Sequence, residues 1–129
     1  MPTILVLDDN NYLRVLYGLE LRAEGYRVVL AADGNEALTK IEMTRPDLVV
    51  MDVHSRRVDR PDVMAKILDK ISHIPVILNT TLSTPESAFM SWAADACLTK
   101  SSDLSELKDK IRELLDQSAE CREGKVTAH

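Results

Sequence analysis

Hydrophobic residues occur along this chain in short unbroken runs, separated by longer stretches in which they recur at helical spacing. Thr3–Leu7 (TILVL) is such a run and stops at Asp8-Asp9-Asn10. Asn11–Glu24 then carries Leu13, Leu16, Tyr17 and Leu21 three and four apart, with Gly25 as its stop. Tyr26–Ala31 (YRVVLA) predicts a second strand, and Asp33–Thr44 a helix with Ala37, Leu38 and Ile41 on one face. Pro46 closes that unit. Asp47–Met51 (DLVVM) is a third run, ending at Asp52 and followed by a polar loop, His54–Arg60. Pro61–Ile71 reads as helix, with Pro61 suited to the first turn. Val76–Leu78 reads as strand and leads into Asn79-Thr80-Thr81. Ser83 or Thr84 can cap a helix from Pro85 to about Ala93. Ala96–Thr99 is a last short strand before Lys100. Asp103-Leu-Ser-Glu106 has the form of a capping box for a helix from Leu104 to about Gln117.

Five strand–helix units follow one another. Their strands are apolar throughout instead of alternating, the mark of a parallel sheet covered on both faces. Crossovers in such sheets are right-handed. The expected architecture is therefore a doubly wound α/β fold with a five-stranded parallel sheet and helices on both faces. At 129 residues the chain has room for one domain, set at 1–117, with 118–129 as a polar and flexible tail.

Composition narrows the function. The chain is 45% hydrophobic and 29% charged, which excludes disorder throughout. A net charge of −5 argues against direct binding of nucleic acid, which rests on neutralising phosphates. No apolar run approaches the ~18 residues of a membrane span, and Met1-Pro2-Thr3-Ile4 has no charged leader pattern. Cys97 and Cys121 are too few for a disulfide framework, and His54, His73 and His129 are scattered, so a zinc site is not expected. The expectation is a cytoplasmic protein without membrane insertion, either monomeric or weakly dimeric.

Chemistry in a doubly wound sheet gathers at the carboxyl ends of the strands. Those ends carry Asp8 and Asp9, then Asp52, then Thr80, then Lys100. A single Asp after a strand is commonly a helix N-cap, but Asp8 and Asp9 cannot both cap one helix. Three carboxylates brought close repel one another. A hard cation such as Mg²⁺ (or Mn²⁺) relieves this, keeping waters and taking one or two carboxylates plus a phosphate. A lysine supplies a point charge for an anionic oxygen, and a threonine supplies a hydroxyl donor. Together these groups describe a site that takes a phosphoryl group onto an aspartate.

The set resembles the receiver domain of two-component response regulators over residues 2 to about 117. The matching segments are ILVLDDN (4–10), PDLVVMDV (46–53), IPVILNTT (74–81) and ADACLTK (94–100). The resemblance implies a flavodoxin-like fold with strand order 2-1-3-4-5. It implies Asp52 as phosphoacceptor, Asp9 as a direct Mg²⁺ ligand and Asp8 acting through a metal-bound water. The backbone carbonyl of His54 would be a further ligand. Thr80 would hydrogen-bond the phosphoryl group and Lys100 would pair with it. Phosphate would come from a histidine kinase, a phosphotransfer protein or a small phosphodonor, and would be lost again slowly. The output would be altered binding of a downstream protein target.

Several positions depart from the family pattern. Arg56 and Arg60 stand where the family usually has Pro and Gly, and with Arg57 they make the loop after the third strand basic. This is either solvated surface charge or a contact for an acidic partner. Thr81 stands where Ala or Gly is common. Cys97 replaces the usual aromatic of the last strand, so the change transmitted across the outer face is expected to be muted. Ser101 replaces the usual proline after Lys100, and without proline a cis peptide there would cost ~2.5–4 kcal/mol.

Two other classes fit parts of the pattern. A haloacid dehalogenase-type phosphatase also forms an aspartyl phosphate, but it wants D-x-D after the first strand, and here the acids are adjacent. A phosphate-independent receiver-like scaffold would explain Cys97 and the basic loop, but not the retained acids, Thr80 and Lys100.

Overall fold

The computed structural model describes residues 1–51, 61–80, 95–99 and 104–122. Five strands are seen: β1 (Thr3–Leu7), β2 (Arg27–Ala31), β3 (Leu48–Met51), β4 (Val76–Thr80) and β5 (Ala96–Thr99). Helices α1 (Asn11–Ala23), α2 (Gly34–Thr44) and α3 (Pro61–Lys70) are joined by a final helix, Ser105–Arg122. The sheet is parallel, in the order β2-β1-β3-β4-β5. The layering is the parallel α/β arrangement that the unbroken apolar runs predict.

The central strands are buried on both sides, and alternate residues serve different cores. Leu5, Leu7, Val49, Met51, Val76 and Leu78 face α2 and α3, where they meet Ala37, Ile41, Ile67 and Ile71. Ile4, Val6, Leu48, Val50 and Ile77 face the other way, against Tyr17 and Leu21 of α1 and Leu107, Ile111 and Leu115 of the final helix. This double burial explains why the strand sequences do not alternate.

Local signals set the helix ends. Asn10 is extended at φ −78° and ψ 111° and caps α1, its side chain accepting from the Leu13 N–H at 3.0 Å. Gly25 follows α1 at φ 97°, a conformation few other residues tolerate. Asp33 caps α2 by accepting from the Glu36 N–H at 2.8 Å, while Glu36 reaches back to the Ala32 N–H at 2.6 Å. Arg45 ends α2 in the left-handed region at φ 49°, with Pro46 next.

Two elements run longer than the apolar pattern predicts. β4 continues past Leu78 because Asn79 and Thr80 pair in register with Leu98 and Thr99 of β5. The final helix passes Gln117 and reaches Arg122. Ser118-Ala119-Glu120-Cys121-Arg122 is polar but contains no Gly or Pro to stop it; Gly124 is the first breaker. The expected helix over Pro85–Ala93 and the capping residue Asp103 lie outside the described residues.

Candidate functional site

β1 delivers the acid pair. Leu7 sits in register with Ala31 of β2 and Met51 of β3, so Asp8 begins where the sheet ends. The Asp8 N–H still donates to the Ala31 carbonyl at 3.1 Å, the last link to β2. Asp8 is only 1% exposed, whereas Asp9 is exposed. The Asp8 carboxylate accepts from the Asn10 N–H at 2.9 Å, closing a short Asx turn. Asn10, not either aspartate, caps α1. Both acids are therefore spared the commonest structural duty of an aspartate in this position.

The remaining strand ends share that edge. Met51 is level with Leu7, and Asp52 is the next residue in the chain. Met51 is also level with Leu78, which places the Thr80 backbone two residues further along β4. Thr80 is paired with Thr99, and Lys100 follows Thr99. Asp52, His54, Arg56, Arg57, Arg60, Lys100 and Ser101 lie outside the described residues, as do the side chains of Thr80 and Cys97.

The donor set at the acid pair consists of hard oxygens. It fits Mg²⁺, which commonly takes one or two carboxylates and retains waters. Among the described residues no group of three or more His, Cys, Asp or Glu side chains forms a separate metal cluster. Two open hollows of about 420 and 450 Å³ lie at the opposite end of the sheet, where they share His73 and Ile74. Neither is lined by Asp8 or Asp9. The aspartates at that end are engaged with strand backbones. Asp47 accepts from the Thr3 N–H, and Asp95 from the Val76 N–H, each at 2.8 Å.

Arg14 is joined to the acid turn, although no sequence motif marks it. Its guanidinium donates through Nη1 to the Asp8 carbonyl at 2.7 Å and through Nη2 to the Asn11 side chain. The available signal was a cation in the opening turns of a helix whose first turn has no acid. Asn79 is a buried polar residue, 4% exposed, directly before Thr80. Nothing in its local sequence distinguishes it from loop asparagine.

The sequence profile of the response regulator receiver domain family matches residues 4–112. The chain is 39% identical over 114 residues to a probable transcriptional regulator, ycf27, of Cyanophora paradoxa, covering 87% of this chain and 47% of that protein. It spans about half the length of the curated relatives it matches. Among solved structures it is similar to the response regulator TrrA of Thermotoga maritima in complex with Mg²⁺-BeF. The TM-score is 0.78 and the identity 38%, over 88% of this chain and 99% of that one. TrrA in complex with the histidine kinase ThkA matches at TM-score 0.77 and 38% identity, over 89% and 99% of the two chains. A CheY-like receiver domain protein of Methanospirillum hungatei matches at TM-score 0.84 and 29% identity, over 93% and 98%.

Proposed function

The chain belongs to the response regulator receiver domain family, and from that premise we propose that it accepts a phosphoryl group on Asp52 with Mg²⁺ held beside Asp8 and Asp9. It is a signalling domain of two-component systems and not a conventional enzyme. The observation that carries the proposal is the acid turn. Asp8 is buried at the end of β1, Asp9 is exposed beside it, and Asn10 does the capping. The similarity to a TrrA structure that holds Mg²⁺-BeF supports the same reading.

A bound Mg²⁺ would supply positive charge against the phosphoryl oxygens. The chain's own residues do the rest. A carboxylate oxygen of Asp52 forms the new P–O bond as the P–N bond to a donor imidazole breaks. Asp9 would hold the metal directly, Asp8 would act through a metal-bound water, and the His54 carbonyl would add a further oxygen. The Thr80 hydroxyl donates to one phosphoryl oxygen and the Lys100 ammonium pairs with another. Water later cleaves the acyl phosphate slowly. The phosphoryl group comes from a histidine kinase or phosphotransfer protein, and the output is a changed affinity for a protein target. The TrrA–ThkA complex supports the kinase as partner.

Neither the phosphatase nor the scaffold reading finds support in these likenesses. The test is labelling with acetyl phosphate in the presence and absence of Mg²⁺. Wild type should take up acid-labile phosphate only with the metal, and Asp52→Asn should take up none while keeping its far-UV circular dichroism. Equal labelling of that variant would remove Asp52 as the acceptor.

A further inference from the structure

The turn from β1 into α1 carries both acids, and side-chain bonds among the described residues help to shape it. The Asn10 N–H meets the Asp8 carboxylate, and the Asn10 side chain meets the Leu13 N–H. Neither of these two bonds is made to the peptide between Asp8 and Asp9. Arg14 makes one. Its Nη1 holds the Asp8 carbonyl at 2.7 Å, and its Nη2 holds the Asn11 side chain beyond the turn. One planar fork therefore spans the two sides of the segment from which Asp9 projects. Arg14 lies in the second turn of α1, near the positive end of the helix dipole, where a cation is unfavourable. Helix stability alone does not account for it there.

We propose that Arg14 is a positioning residue: by clamping the Asp8 carbonyl and Asn11, it sets the direction in which the Asp9 carboxylate meets the metal. This rests on the reading of Asp8 and Asp9 as the Mg²⁺ site. The opposing account is purely electrostatic, in which Arg14 is a nearby cation that repels the metal.

The two accounts predict opposite results. The full chain is titrated with Mg²⁺ by calorimetry and by amide NMR, as wild type, Arg14→Lys and Arg14→Ala. Lysine keeps the charge and the stem but not the fork. Positioning predicts Mg²⁺ affinity weakened roughly tenfold in Arg14→Ala, the scale of lost outer-shell support, and clearly weakened in Arg14→Lys. Repulsion predicts tighter binding in Arg14→Ala and unchanged binding in Arg14→Lys; either result overturns the proposal. A readout without metal keeps it separate from the proposed function. In metal-free protein the Asp9 and Asn10 amide resonances should move in Arg14→Lys, with the melting curve still cooperative. Unmoved resonances overturn the proposal. Moved resonances in a protein that ignores Mg²⁺ uphold the clamp and remove the metal reading. If Arg14→Ala fails to fold, Arg14→Lys decides by the same criteria.

Discussion

At the scale of single residues, aspartate is the instructive case. Asp8 and Asp9 stand out in the sequence because one helix needs only one cap, and in the structure that cap is Asn10. Asp47 and Asp95 look similar in sequence, yet each is taken up by the N–H that opens a strand. What separates the pairs is which end of a strand they flank, and this was legible. What was not legible was Arg14, because its partners are a backbone carbonyl and a neighbour's amide, which leave no pattern of residue types. Arg45 gives a stability prediction. It holds φ 49° at the end of α2, a conformation costing an L-residue about 1 kcal/mol. Arg45→Gly should raise stability by about 0.5–1 kcal/mol in urea unfolding, with no change in phosphorylation. A second prediction concerns the lifetime of the phosphoryl group. Thr81 is larger than the Ala or Gly usual there, and on the proposed reading its bulk slows the approach of water, so Thr81→Ala should speed loss of phosphate from Asp52 in a dephosphorylation time course.

At the scale of elements, unbroken apolar runs located the strands, which are buried on both sides, and helical periodicity located the described helices, whose apolar faces pack on the sheet. The pattern misjudged β4, whose last two residues are polar and owe their strand conformation to β5. It misjudged the end of the final helix for the reverse reason, since the polar residues after Gln117 lack a breaker and simply continue. α1 shows what a helix can carry on both faces. Tyr17 and Leu21 are buried against the sheet, while Tyr12, Val15 and Leu19 form an exposed stripe at 74%, 47% and 60%. The stripe begins four residues past Asp8, and we expect a protein phosphodonor that reaches the acid turn to lie across it. Leu19→Lys should change stability by no more than about 0.5 kcal/mol, as for other exposed sites. It should slow phosphotransfer from a cognate kinase and leave labelling by acetyl phosphate unchanged, which a paired rate measurement checks.

At the scale of the whole molecule, two cores share one sheet and the helices over each face are tied to one another. Glu20 pairs with Lys108 at 3.2 Å and Glu24 with Arg112 at 3.9 Å, joining α1 to the final helix. On the other face Glu42 of α2 pairs with Lys70 of α3 at 3.2 Å. These pairs are partly exposed and contribute little individually; the packed apolar faces carry the stability. The strand order also has a kinetic consequence. β1, β3 and β4 occupy interior positions with a neighbour on each side, whereas β2 and β5 are the edges. Amide protons of an edge strand can exchange with deuterium through local opening, but those of an interior strand wait for global unfolding. Native-state exchange should therefore rank the Leu5–Leu7, Val49–Met51 and Ile77–Leu78 amides slowest, with the edge strands β2 and β5 exchanging sooner. Equal protection across the sheet would contradict this. Asp8 directly follows one of these interior strands, so breathing at the rim of the sheet can proceed without loosening the root of the acid turn.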